Sequence, residues 1–163
     1  MSGQICERLL KYLKTRTSRG FKGKSTGREL FGPELAADAM NTGKKFKLPL
    51  EDILATVSEF TVQFVVREVR KIAKSDRSFS KLYLTGGGRR NMFYCNRLRL
   101  FFPNLELLPI DDLGVESDLV EAAAFAVMGE ATIRSEAVWT GVGRGSGSNW
   151  TILGDISQPP AAC

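Results

Sequence analysis

The chain has 163 residues, a formal net charge of +5, 43% hydrophobic and 25% charged side chains, the make-up of one folded domain rather than a disordered tail. It contains no histidine, which excludes imidazole general bases, Ser-His-Asp and Cys-His nucleophile pairs and any His-ligated zinc. The three cysteines, Cys6, Cys95 and Cys163, are far apart and form no C-x-x-C pair, so neither a disulfide framework nor a metal knuckle is expected and a reducing, cytoplasmic setting fits best.

The N-terminal helix is predicted from Ile5, Leu9, Tyr12 and Leu13 at helical spacing, with the polar stretch from Lys14 to Gly23 as a loop. Residues 1 to 30 hold 8 Lys+Arg against 2 Asp+Glu, while the rest of the chain holds 15 against 16. The basic excess therefore belongs to this segment, either as a solvated arm or as a contact for nucleic acid. From Pro49 a long helix runs to about Lys74-Ser75, its apolar face made by Ile53, Val57, Phe60, Phe64 and Ile72 with Leu54, Thr61, Val65 and Val69 beside them.

Lys81 to Thr85 alternates like a strand, Gly86-Gly87-Gly88 is a turn, and Asn91 to Phe102 is a helix with Met92, Cys95, Leu98 and Phe102 inward. Leu105 to Leu108 completes a strand-helix-strand unit, which places the chain in the α/β class with a partly parallel sheet. A third long helix is expected from Asp118 to Glu136, its small residues Ala122, Ala126 and Gly129 making a stripe suited to tight packing. The longest apolar run, Ala122 to Met128, has seven residues, far short of the roughly 20 of a bilayer span, so a soluble protein is expected. Residues 140 to 148 read as a flexible Gly/Ser-rich loop and Trp150 to Ile156 as a last strand.

Gly23-Lys24-Ser25 is not a P-loop, because Ser18 stands where the motif needs glycine and no buried strand precedes it. Gly86-Gly87-Gly88-Arg89-Arg90-Asn91 is better placed for a phosphate or nucleotide, between a strand and a helix, although Asn91 occupies the third glycine position of a dinucleotide fingerprint. A tight turn that merely ends the strand is the plain alternative. Asp111 and Asp112 end the second strand, where ligands sit in open α/β sheets but where turn-forming aspartates are also common. Glu121 is either the N3 residue of a capping box begun by Asp118 or a carboxylate at the edge of a cleft.

Four blocks in order resemble the C-terminal part of the anhydro-N-acetylmuramic acid kinases, in the actin, Hsp70 and sugar-kinase superfamily. They are Lys24-Ser25-Thr26-Gly27-Arg28-Glu29-Leu30-Phe31, then Leu84-Thr85-Gly86-Gly87-Gly88 with Asn91, then Leu113-Gly114-Val115 with Asp118 and Glu121 to Ala126, then Ile152-Leu153-Gly154-Asp155-Ile156. The resemblance implies a partial ribonuclease H-like, actin-like ATPase lobe with a small mixed or parallel sheet flanked by helices. Residues 1–23 would be a basic helix and loop, 24–156 the lobe and 157–163 a tail. It further implies ATP with Mg²⁺ as cofactor, phosphorylation of 1,6-anhydro-N-acetylmuramic acid in recycling of cell-wall sugars, and nucleotide contact by Gly86, Gly87, Gly88 and Asn91. Glu121 becomes a candidate contact for the sugar or a water, and Lys24 to Phe31 a conformational segment.

The family's Met-Ser-Gly-Thr-Ser phosphate hairpin and its catalytic aspartate have no counterpart here; Met1-Ser2-Gly3 repeats only three residues of the hairpin before a helical pattern begins. The Asp-Thr-Gly turn that usually precedes the first block is also missing, and Arg89 replaces an alanine, where its guanidinium could pair with a phosphate or partly obstruct the site. Hence no catalytic residue and no metal ligand is assigned. The expectation is one lobe that does not catalyse alone and that associates with itself or with an N-terminal lobe. A non-catalytic nucleotide- or protein-binding module and a basic nucleic-acid-binding protein are the alternatives.

Overall fold

The computed structural model describes residues 3–18, 31–75, 79–139 and 150–157. Helix α1 spans Glu7–Ser18 and buries Leu9, Leu10, Leu13 and Thr17. The helix thus continues through the polar Lys14 to Ser18, predicted as loop. Thr17 explains the extension: its side chain falls on the buried face one turn after Leu13, and its hydroxyl donates to the Leu13 carbonyl at 2.9 Å, so a buried polar group is satisfied within the helix. The block from Lys24 lies outside the described residues up to residue 30.

Helix α2, Pro33–Lys45, was not predicted. Its start follows a simple rule, since Pro33 follows the extended Gly32 and occupies the first turn, where a missing amide costs nothing; Glu34 opens it and Lys44 and Lys45 close it, matching the helix dipole. Its apolar content is low, and only Ala39 and Gly43 are buried. Helix α3, Leu50–Ser75, has 26 residues and, at 1.5 Å per residue, is about 39 Å long.

Two cores form along α3. Ile53 and Phe60 pack with Leu9, Leu10 and Leu13 of α1 and Ala39 of α2. Val62 and Val66 pack with Leu98 and Phe102. The single stripe expected from sequence is therefore split: Ile72 is 60% exposed and Leu54 45%, because the helix changes the face it buries as it passes from one set of partners to the next.

Strand β1 (Lys81–Leu84), helix α4 (Met92–Phe101) and strand β2 (Glu106–Pro109) form the expected unit, with β1 and β2 parallel and Leu82 opposite Leu107. The α/β assignment holds at this level. Within α4, Cys95 and Leu98 are buried and Phe102 caps its end, but Met92 is 64% exposed rather than inward. It is the first residue of the helix.

The expected helix from Asp118 to Glu136 is shorter: a 3₁₀ turn over Ser117–Leu119 leads into α5, Val120–Ile133. No side chain caps α5, so the Asp118–Glu121 capping box is not formed; Asp118 is drawn away to Arg90 at 3.3 Å. The small-residue stripe packs against nothing among the described residues: Ala122, Ala126 and Gly129 are exposed, as are Phe125, Val127 and Ile133. The last strand is also shorter than predicted. β3 (Val138–Trp139) and β4 (Trp150–Thr151) make a two-residue antiparallel ribbon, after which Thr132 of α5 donates to the Leu153 carbonyl and Gly154 turns with φ 78°. Among the described residues, no helix is long and apolar enough to cross a membrane.

Candidate functional site

The predicted glycine turn sits at the carboxyl end of β1, beside the carboxyl end of its parallel neighbour β2, the edge at which open α/β sheets receive ligands. Gly86 has φ 72°, a conformation that disfavours any residue with a Cβ, and a 3₁₀ turn follows over Gly87–Arg90. A Cβ added at Gly86 or Gly87 would meet nothing within 4 Å, so the turn presents bare backbone to open space. At Gly88 a Cβ would touch only the Tyr94 ring, at 3.7 Å.

A hollow of about 130 Å³ adjoins the turn, lined in part by Val62, Val65, Leu84, Gly88, Tyr94 and Cys95. Its mostly apolar wall and the Cβ-free turn beside it fit a planar, partly apolar group such as a nucleobase. A larger hollow of about 480 Å³, between α3 and Phe101, contains none of the predicted site residues. Among the described residues no group of three carboxylates and cysteines could hold a metal ion.

Asn91 lies at the end of the turn and caps α4: its side-chain oxygen accepts from the Phe93 amide at 3.0 Å, satisfying a donor that the helix start would otherwise leave unpaired. The predicted nucleotide contact thus already has a structural partner. Glu121 is exposed in the first turn of α5. The glycine turn is held by Ser117 and Asp118, one turn before Glu121 in the chain.

Ser117 and Asp118 were not singled out together with the turn, yet they hold it. Ser117 is 5% exposed, and its hydroxyl accepts from the Gly86 amide at 2.9 Å and lies 3.1 Å from the Thr85 hydroxyl. Its own amide donates to Asp111 at 3.3 Å. Arg89 closes the same network: Nε lies 3.5 Å from Asp111, Nη1 lies 3.5 Å from Asp118, and Nη1 donates to the Gly86 carbonyl at 3.3 Å. Asp111 is therefore a member of this network, whereas Asp112 is exposed to solvent. Gly114, with φ 81°, makes the reversal that brings Ser117 back to the turn.

The helix carrying the turn is fixed to α3 by a second feature absent from the sequence reading. Glu59 is 1% exposed and accepts two bonds from Arg97, at 2.7 and 2.6 Å, and one from Gln63 at 2.7 Å. Burial alone would raise its pKa; the Arg97 and Gln63 bonds and the Arg97 charge outweigh that and hold the carboxyl below its ordinary value. The signal in sequence was an acid in the middle of an otherwise apolar helix face, a residue type that is seldom buried without a partner.

A family model described as anhydro-N-acetylmuramic acid kinase matches residues 1–157. The anhydro-N-acetylmuramic acid kinase of Rippkaea orientalis is 35% identical over 127 residues, covering 77% of this chain and 33% of that protein. The protein of the same name from Aliivibrio fischeri is 39% identical with the same coverage, and that of Trichormus variabilis is 37% identical over 64% of this chain and 26% of its own. The chain spans about a third of the length of the curated relatives it matches.

Proposed function

The chain belongs to the anhydro-N-acetylmuramic acid kinase family, and from that premise we propose that it is the nucleotide-side, C-terminal lobe of such an ATP-dependent kinase, acting in the recycling of cell-wall sugars in the cytoplasm. The observation that carries this reading is the bare Gly86–Gly88 turn at the carboxyl end of a parallel strand, with a small apolar hollow beside it. ATP with Mg²⁺ would supply the transferable phosphoryl group. The chain's own part is to bind: Gly86, Gly87 and Gly88 let the nucleotide lie against backbone, and Asn91 keeps the α4 start in place beneath it while offering the rest of its amide. To Glu121, exposed at the start of α5, we assign acceptance of a hydrogen bond from a sugar hydroxyl or polarisation of a water.

Phosphoryl transfer depends on groups that surround the γ-phosphate and position the attacking oxygen. The described residues around the turn offer one wall, with Asp111 and Asp118 engaged by Arg89, so the 163-residue chain is expected not to phosphorylate the sugar alone. The exposed apolar face of α5 is the surface on which we place the remaining lobe, because this chain covers only a third of its relatives and Phe125 and Ile133, on the same side of the helix, are 70% and 75% exposed.

The experiment is a titration of the chain with ATP·Mg and ADP·Mg, for wild type and Gly87→Val. Because the space over Gly87 is open, valine there should leave the fold intact and occupy the nucleotide's place. Saturable binding that Gly87→Val weakens at least about tenfold supports the reading. Absence of nucleotide binding by the folded chain favours the second reading, a protein-binding module, which the exposed α5 face alone would serve. A third, nucleic-acid binding through the basic N-terminal segment, would show affinity falling steeply with salt. Two of those cations are already used internally, Arg8 over the Phe46 ring and Arg16 with Asp38.

A further inference from the structure

Three consecutive glycines are an expensive stretch of chain to hold still. Each has more backbone freedom to lose than any other residue, and none contributes a side chain that packing could grip. The open space over Gly86 and Gly87 removes even van der Waals support from that side. Something else must fix the turn if it is to receive a ligand without first being ordered.

Gly86 is gripped on both its backbone groups. Its amide is taken from outside by Ser117, and its carbonyl accepts the turn's own bond from the Arg89 amide and a second bond from the Arg89 guanidinium, both at 3.3 Å. Ser117 is in turn held through its amide by Asp111, and Arg89 faces Asp111 and Asp118, so the two grips share one anchor on the segment between β2 and α5. The Arg89 side chain is 14% exposed, against 68% for its neighbour Arg90, although both belong to an exposed turn. Two carboxylates against one folded-in guanidinium also make this a poor place for a phosphate, so Arg89 acts on the turn and not on the anion.

We propose that Arg89 is a positioning residue: with Asp111 and Asp118 it clamps the Gly86–Gly88 turn to the β2–α5 connection and keeps the turn in its receiving shape before nucleotide arrives. This rests on the nucleotide reading of the turn. The clamp is of moderate strength, since its ion pairs are 3.5 Å long and Asp111 and Asp118 are 42% and 67% exposed. It is accordingly sensitive to salt. Lysine cannot replace it fully, because a point charge lacks the fork that reaches two carboxylates and a carbonyl together.

The test uses the full chain and two readouts. In hydrogen–deuterium exchange, Arg89→Ala should speed exchange of the amides from Gly86 to Asn91 about tenfold and leave those of α3 unchanged, with Arg89→Lys intermediate. Raising salt from about 0.05 M to about 1 M should speed the same amides in the wild type and not in Arg89→Ala. Arg134→Ala, which removes the same charge from an exposed i,i+4 pair at the end of α5, should change nothing at the turn. Unchanged exchange in Arg89→Ala, or equal acceleration at the turn and throughout α3, overturns the clamp; if Arg89→Ala does not fold, Arg89→Lys and the wild-type salt series decide in the same way. In ATP·Mg titration, Arg89→Ala should lose affinity in proportion to the faster exchange. Faster exchange with undiminished affinity overturns the positioning role, whereas a wild type that binds no nucleotide but shows the exchange pattern sinks the nucleotide reading and leaves the clamp standing.

Discussion

Glu59 is a charged group kept almost wholly out of water halfway along α3, and its three short hydrogen bonds make that tolerable. Removing Arg97 strands the charge. Arg97→Met is expected to lower stability by about 3 kcal/mol, the low end for a broken buried pair because Arg97 itself is 30% exposed; urea denaturation measures it. The sign of the pH dependence follows from the lowered pKa: the pair's stabilisation is complete above the unfolded carboxyl value of about 4.3 and disappears as pH falls through the lower folded value. Urea midpoints measured down this acid range should fall less steeply for Glu59→Gln than for wild type; equal slopes would remove Glu59 from the account. Nothing in linear sequence joined Glu59 to Arg97, or Arg89 to Asp111 and Asp118, because the strand-helix-strand crossover is what brings them together. The glycine turn itself was legible, since strand alternation, three glycines and a helical period follow one another within a short stretch.

Among the elements, β1, α4 and β2 were readable for the same reason: their periodicities are local and strong. Helix α2 was not. It buries only Ala39 and Gly43, so it has almost no apolar stripe, and its start is the Gly32-Pro33 pair, two residues that more often punctuate a chain. Gly43 serves close approach: a Cβ there would lie 2.5 Å from Ile53 Cδ1. Gly43→Ala should therefore cost about 1–3 kcal/mol in spite of alanine's better helix propensity, and Ile53→Val should recover part of that loss in the double variant. Additive losses in thermal or urea unfolding would show that the two positions do not meet. The small-residue stripe of α5 misled in the opposite direction, because a pattern suited to tight packing says nothing about whether the partner belongs to the same stretch of chain.

At the scale of the whole molecule, α3 is shared by both cores, and α1, α2 and α4 each lean on it. Among the described residues the α5 side has no such support. Phe125→Asp should leave the helix content of the chain unchanged, since Phe125 is 70% exposed. The same change should abolish co-purification with the part of a relative such as the Aliivibrio fischeri protein that this chain does not cover, co-expressed as a separate chain. Failure of the unmutated, folded chain to co-purify would argue against α5 as the joint between lobes. Fold class was legible because apolar periodicity is an intramolecular signal; the exposure of α5 was not, because a helix's own pattern does not record what lies opposite it.

The β3–β4 ribbon has a practical corollary. Trp139 and Trp150 face each other across it, each 60% exposed, and they are the chain's two tryptophans. Intrinsic emission therefore reports on this margin of the molecule and is nearly blind to both cores. Urea melts followed by fluorescence will register early loosening of the ribbon, while circular dichroism follows the α3 assembly. A blue shift on adding another polypeptide would signal that solvent has been excluded from this flank, giving an optical readout of lobe assembly that needs no label.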